Sequence, residues 1–270
     1  MTREVCPSQG AIITAQHLGY SYPQPPTLAL TGVDVQVEAG QFVAVVGPNG
    51  SGKTTFVKLL LGLLRPTEGE VSLHGRPAHD TQGGHHHCIG YVPQHRTVNR
   101  QVPVRVRDVV AMAAHCRYGG ELSGAEVRRR VERALEMVEL SDLAARPFSA
   151  LSGGQQQRAL IARALAVDPL ILIADEPFAG VDARSSQTII NLLQWLTDEK
   201  SVTVLAVVHD INPLVHFLDR VLLLSTRMVA YGPPTEVLTP THLNEAYGRA
   251  VSILVCDDGF LHPLTEAEHG

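Results

Sequence analysis

Gly47-Pro48-Asn49-Gly50-Ser51-Gly52-Lys53-Thr54 is where the reading of this chain begins. It matches GxxxxGK[ST] at every position. It follows the apolar, β-branched run Gln41 to Val46, suited to a buried strand, and opens a helical stretch, Thr54 to Leu64, stopped by Pro66. A buried strand, a glycine loop and a helix in succession are the context in which this motif holds phosphate. Glycines let backbone N–H groups curl around phosphate oxygens with no Cβ in the way, and the helix N-terminus adds aligned N–H groups and a partial positive charge. Lys53 can then reach the β- and γ-phosphates of a nucleotide, while the Thr54 hydroxyl can ligate Mg²⁺.

Two more strand ends carry chemistry. Leu170-Ile171-Leu172-Ile173-Ala174 is a continuous apolar run followed by Asp175, Glu176 and Pro177. A buried strand of this kind delivers its last residues to the sheet edge where α/β proteins bind ligands. Asp175 is placed to hold the Mg²⁺ of MgATP, and Glu176 is the natural general base for an attacking water. Thr203 to Val208 is a second such strand, ending in His209, which can donate a hydrogen bond to the γ-phosphate. Between the glycine loop and these strands lies Leu151-Ser152-Gly153-Gly154-Gln155-Gln156-Gln157-Arg158. Ser152 is a good N-cap for the helix that follows, so its hydroxyl and the next N–H groups point at any anion approaching that helix end.

The chain of 270 residues suffices for one large domain or a core with a subdomain. Ala11 to His17, Val33 to Val37 and Gly69 to His74 read as strands, and Tyr22 to Pro26 as a turn. Val104 to Leu143 is helical, with Glu126, Arg128, Arg129, Arg130, Glu132 and Arg133 on an exposed face; it reads as a helical subdomain ending near Pro147. Helices over Gln155 to Val167 and Ala183 to Thr197 then alternate with the strands named above, which implies a parallel sheet covered by helices. The tail adds short elements, among them helices over Pro233 to Leu238 and Pro240 to Tyr247. A net charge of −5 supplies no basic field for nucleic acid or anionic lipid. No apolar run approaches the roughly 20 residues a membrane span needs, and Met1 to Gly10 has no signal-peptide pattern. Four scattered cysteines without a CxxC pair read as reduced thiols in a cytoplasm.

A phosphate loop, LSGGQ and an apolar strand ending in Asp-Glu, in that order, resemble the ATP-binding cassette (ABC) ATPases, and the likeness covers roughly Ile12 to Tyr247. The resemblance implies an α/β P-loop NTPase fold of the ABC-ATPase kind: a mostly parallel core sheet, an antiparallel β subdomain and an α-helical subdomain. Its expected layout is a single domain over 11–250, a helical subdomain at about 95–168, and a C-terminal extension over 251–270. It implies that ATP contacts Tyr22 (with Tyr20 as the competing adenine-stacking candidate), Gly47, Asn49, Gly50, Ser51, Gly52, Lys53, Thr54, Thr55, Gln94 and Asp175. Mg²⁺ would be held by Thr54, Gln94 and Asp175, with Glu176, His209 and Gln94 catalytic. Gln94, in Tyr91-Val92-Pro93-Gln94, resembles the Q-loop glutamine, His209 the switch histidine, and Asp182, in Ala179-Gly180-Val181-Asp182, the D-loop aspartate at the subunit interface. Ser152, Gly153 and Gly154 would contact the γ-phosphate of ATP held by a second cassette, expected to be an identical copy.

Ile89-Gly90-Tyr91-Val92-Pro93-Gln94, the stretch Val102 to Val110, Pro177 to Asp182 and Tyr231 to Leu238 look like the branch serving manganese, zinc and iron importers. The chain departs from that branch at Val102 and Arg105, where an aromatic and a threonine are usual. The expected role is ATP hydrolysis powering import of zinc or manganese through a separate integral membrane permease. The chain would be peripheral on the cytoplasmic face, served indirectly by an extracytoplasmic metal-binding protein, with no nucleic-acid partner. Transport of another small solute, export, and a soluble non-transport ATPase are the alternatives; the last is disfavoured by the lack of a coiled-coil insertion, a second cassette or a basic stripe. His74, His79, His85, His86, His87 and His95, with Cys88, form a histidine-rich stretch. Imidazoles and a thiolate suit zinc, but short tracts of this kind are compositional, so the stretch is read as an exposed loop and no metal site is assigned to it.

Overall fold

The computed structural model describes residues 10–79, 89–94, 104–118, 122–255 and 261–264. It resolves into two compact units, residues 1–86 with 205–270 and residues 87–204.

The first unit is built on a hairpin, β1 (Ala11–Pro23) against β2 (Pro26–Glu38), with Ile13 opposite Val37 and Ala15 opposite Val35. Both strands run beyond the stretches where hydrophobic alternation marks them. The reason is bulges in both: β1 gains a residue between Ala15 and Leu18, where His17 takes φ 47°, and β2 gains one between Leu30 and Val33, where Gly32 takes φ 58°. An extra residue breaks the period of two, so the pattern resumes out of phase at Leu18. Asp34 steadies the bulge in β1, accepting from His17 N at 2.8 Å and pairing with its Nδ1 at 3.0 Å. β3 (Phe42–Val46) is wholly buried, and β4 (Glu68–Leu73) and β5 (Arg76–Pro77) extend the antiparallel edge beyond β1. α1 (Lys53–Leu60) follows the glycine loop.

α1 ends sooner than its apolar pattern and Pro66 suggest. Gly62, at φ 68°, donates to Leu59 O at 3.1 Å, and Leu63 donates to Lys58 O at 2.9 Å. This pair of bonds around a left-handed glycine satisfies the last carbonyls and closes the helix before the proline is reached.

The second unit holds β6 (Ile89–Val92) parallel to β7 (Ile171–Asp175), with Tyr91 opposite Ile173 and Val92 opposite Ala174. Its helices are α2 (Val106–Tyr118), α3 (Gly124–Met137), α4 (Gly153–Leu165) and α5 (Ala183–Lys200). The helical stretch over Val104 to Leu143 is made chiefly of two helices, α2 and α3. The second starts at the Ser123 N-cap, whose side chain accepts from Glu126 N. β8 (Thr203–Val207) begins in this unit, where Thr203 N donates to Leu170 O at 2.9 Å. It ends in the first unit, where Val208 N donates to Val45 O at 3.1 Å.

The first unit continues with β9 (Arg220–Ser225), parallel to β3, and β10 (Arg227–Gly232), antiparallel to β9 and touching β2 in parallel at Thr31. Short helices α6 (Pro234–Val237) and α7 (Pro240–Tyr247) precede a two-stranded hairpin, β11 (Ser252–Val255) with β12 (Leu261–Leu264). The largest fully buried side chains of the first unit include Phe42, Phe56, Ile13, Leu18 and Leu59; in the second they include Leu140, Leu160, Ile161 and Ile171. The fold is α/β: an antiparallel β portion and parallel strand pairs, with helices interleaved.

Candidate functional site

In the first unit the glycine loop is held by main chain. Gly47, at φ 150°, lies so close to β9 that a Cβ there would come within 2.1 Å of Leu224 O. Thr226 N donates to Ser51 O at 3.0 Å, and Ser51 N to Pro48 O at 3.2 Å. The Lys53 side chain folds across the loop, its Nζ donating to Gly47 O at 2.8 Å and Pro48 O at 2.9 Å. Ser51, Lys53 and Thr55 are buried, whereas Asn49, Gly50 and Thr54 are exposed.

Tyr22 reaches this loop: its hydroxyl shares a 3.2 Å hydrogen bond with Thr55 Oγ1. Tyr20 packs edge-on against Tyr22, with ring centroids 4.9 Å apart and planes at 85°. His209 is exposed at the end of β8, directly after the residue that bonds Val45 of β3. The strand that feeds the phosphate loop and the strand that ends in the histidine are therefore neighbours.

In the second unit β7 carries Asp175, 5% exposed, to its last position. The chain then turns sharply, with Glu176 in the left-handed region at φ 50° and Ala179 N donating to Glu176 O at 3.1 Å. A non-glycine residue held there stores roughly 1–3 kcal/mol of strain, a feature concentrated at functional sites. Tyr91 stands on the adjacent β6. Burial first, then the charge of nearby Asp175, push its phenol up to about 12. Gln94 is exposed beyond the end of β6.

The start of α4 is shaped by side chains. Ser152 Oγ accepts from Gln155 N at 3.3 Å while Ser152 N donates to Gln155 Oε1 at 3.0 Å, a reciprocal capping box. Gln156, buried, donates to Phe148 O and Leu151 O and so fixes the approach to the helix. Gly154 is pressed against α5: a Cβ there would meet Ser185 Cβ and Oγ at 2.4 Å. Ser185 in turn donates from its N (2.9 Å) and its Oγ (2.8 Å) to the carboxylate of Asp182, the N-cap of α5. These bonds hold the Asp182 carboxyl below its usual value. The structure thus gathers Ser152, Gly153, Gly154 and Asp182 around two helix starts.

The residues expected to hold Mg²⁺, Thr54 in the first unit and Gln94 and Asp175 in the second, each carry hard oxygen donors, the kind that suits Mg²⁺. Among the described residues no group of three or more His, Cys, Asp or Glu could hold a metal ion. His85, His86, His87, Cys88 and His95 lie outside the described residues. Sequence reading did not single out Tyr91 and Ser185 as contacts of the site. Tyr91 stood within a quoted motif, but its link to Asp175 needs the pairing of β6 with β7.

Residues 30–179 match the family described as ABC transporter. The chain is 38% identical over 241 residues to the zinc transport system ATP-binding protein TroB of Treponema pallidum, covering 89% of this chain and 88% of that one. It is 39% identical over 236 residues to the manganese transport system ATP-binding protein MntB of Bacillus subtilis, covering 87% and 91%. A bacterial ABC transporter cassette solved as a dimer superposes with a TM-score of 0.71 at 33% identity, covering 82% of this chain and 98% of the other.

Proposed function

The chain belongs to the ABC transporter family, and we propose that it is the ATP-hydrolysing subunit that powers import of zinc or manganese through a separate membrane permease. The observation that carries this reading is the likeness, along nearly their whole length, to ATP-binding proteins of a zinc and a manganese transport system. Residues 11–250 form the ATPase domain in this reading, with a helical subdomain at about 95–168 and an extension over 251–270. No helix among the described residues is long and apolar enough to cross a membrane. In this reading the subunit sits on the cytoplasmic face, docked to the permease, with an extracytoplasmic metal-binding protein acting on the far side.

In this mechanism Tyr22 stacks on adenine, and the N–H groups of Gly47 to Thr55 with the Lys53 ammonium bind the phosphates. Thr54, Gln94 and Asp175 would hold Mg²⁺, which when bound would supply positive charge against the phosphates. Glu176 takes the proton of the attacking water, and His209 donates to the γ-phosphate. Ser152, Gly153 and Gly154 of a second, identical copy cover the same phosphate, with Asp182 at the seam. The dimeric cassette among the similar structures supports that pairing. ATP then joins two copies, and its hydrolysis loosens them.

The test is co-purification with the permease and reconstitution into vesicles. ATP-dependent accumulation of zinc or manganese, with ATPase stimulated by that metal, is expected. Stimulation by an unrelated solute instead would replace the metal reading. In the same vesicles Glu176→Gln should slow hydrolysis about 10²- to 10⁴-fold while ATP affinity holds, because the amide keeps the shape but cannot accept the proton. Hydrolysis at the parental rate would remove Glu176 from this role.

A further inference from the structure

We propose that Asn212 is a positioning residue for His209, and that the C-terminal hairpin, β11 with β12, is the brace through which it works. The role rests on the reading of His209 as the donor to the γ-phosphate and goes beyond it by giving the hairpin a part in turnover.

His209 and Asp210 are exposed, and buried residues flank them, Val208 before and Ile211 after. Upstream, the chain is fixed to the strand that feeds the phosphate loop, where Val208 N donates to Val45 O at 3.1 Å. Downstream, β8 has ended and its ladder holds nothing further. Asn212 supplies the hold there. Its N donates to Asp210 Oδ1 at 3.0 Å, which closes a side-chain turn across Ile211. Its Nδ2 donates to Pro263 O of β12, also at 3.0 Å. The histidine is thus carried on a short span pinned at both ends.

The chemistry of the amide fits a tie better than a filler. Pro263 O can only accept, so the Asn212 amide must turn its NH₂ group toward it. That leaves Asn212 Oδ1 buried with no partner among the described residues. A buried acceptor in that state costs stability. The side chain is therefore poorly explained by stability and well explained by the bond it makes. The hairpin is a two-stranded sheet of its own, with Ile253 opposite Pro263. An isolated pair of strands is marginal in water, so it needs anchors. Val251 N donates to Asn244 Oδ1 at 2.9 Å and fastens the hairpin's entrance to α7. Pro263 is buried on the returning strand and gives its carbonyl to Asn212. The hairpin is therefore fastened to α7 at one strand and to the segment behind His209 at the other.

Asn212→Ala deletes the donor and the orphaned acceptor together. The experiment measures steady-state hydrolysis of MgATP by the full-length protein, in the parent and in a His209→Ala background. Hydrogen exchange of residues 209–214 and of β11 and β12 is followed alongside. A neutral hydrogen bond sets the scale, so kcat in the parent should fall about three- to tenfold with KM for ATP unchanged. In the His209→Ala background no further fall is expected, and exchange should quicken in both segments. Equal falls in the two backgrounds would overturn the proposal, since Asn212 would then act without the histidine. So would an unchanged kcat, or loosening confined to the hairpin. A matching loss of ATP affinity would mark a general disturbance of the fold and overturn it as well. Where the His209→Ala rate is too low to compare, the exchange pattern decides. His209→Ala alone tests the premise: parental turnover would remove the histidine from the site. Slowed turnover in His209→Ala beside an innocuous Asn212→Ala would defeat only the role of Asn212.

Discussion

The phosphate loop and the start of α4 both place glycines at the head of a helix, but opposite means hold them. The loop is clamped by backbone: Gly47 abuts the Leu224 carbonyl, Thr226 N bonds Ser51 O, and Lys53 is drawn onto the carbonyls of its own loop. The start of α4 is clamped by side chains: Ser152 and Gln155 cap each other, and Ser185 of α5 fills the space beside Gly154. A backbone clamp leaves no room for a side chain and no partner to trim. A side-chain clamp can be loosened and restored pairwise.

The largest effect should come from breaking the backbone clamp. Gly47→Ala puts a methyl within 2.1 Å of a main-chain oxygen that cannot step aside, at a φ alanine rarely adopts. Strain and overpacking together should cost about 2–5 kcal/mol in urea unfolding and abolish ATP binding. Parental stability would show that the loop is not rigidly held.

Lys53→Ala leaves the clamp's glycines in place and removes its charge. A charge-assisted contact is worth roughly 1.5–3 kcal/mol, so ATP affinity should fall about 10- to 100-fold in titration with a fluorescent analogue. Unchanged affinity would mean that this loop is not the main phosphate site.

At the side-chain clamp, Gly154→Ala should cost about 1–2 kcal/mol, because the obstacle is Ser185 and not backbone. Ser185→Gly should restore much of that loss. A double-mutant cycle in urea should show coupling above about 0.5 kcal/mol, and strict additivity would dissolve the contrast between the two clamps.

The smallest effect should be the pH dependence at Asp182. Ser185 lowers this carboxyl below its ordinary value of 3.8 in the folded state. Its contribution is therefore present above that value and is lost as pH falls through the depressed folded value. Because the group is exposed, the stability gap between parent and Asp182→Asn should be small at neutral pH and should close on acidification. A gap that widened in acid would reverse the sign and dismiss the Ser185 bonds as its cause.

Much of the site was legible because it is local. GxxxxGK[ST] after a β-branched run, and LSGGQ with serine ahead of a helix, dictate loop and cap within a few residues. β3, β7 and β8 lie where continuous apolar runs put them. The limits of β1 and β2 were not legible, because bulges at His17 in β1 and near Gly32 in β2 shift the phase on which an alternation reading depends. Nor was the end of α1: Gly62 closes it through bonds to Lys58 and Leu59, while the apolar residues and Pro66 beyond it read as continuation and stop. The hairpin β11–β12 was read only as an extension, although Asn212 Nδ2, shortly after His209, bonds Pro263 O at 3.0 Å.

The sequence by itself determined the chemistry: which residues can cradle phosphate, ligate a hard cation, take a proton or cap a helix. Those properties belong to residue types and to spacings of a few positions. Tertiary structure alone decided which of these groups meet. Tyr91 shares a face with Asp175 because β6 pairs with β7 in one register; a slip of one residue would turn the tyrosine to the other face. Gly154 needs to be glycine because α5 brings Ser185 against it. Register and helix packing are set by burial summed over whole elements, and no short stretch of the chain carries that sum.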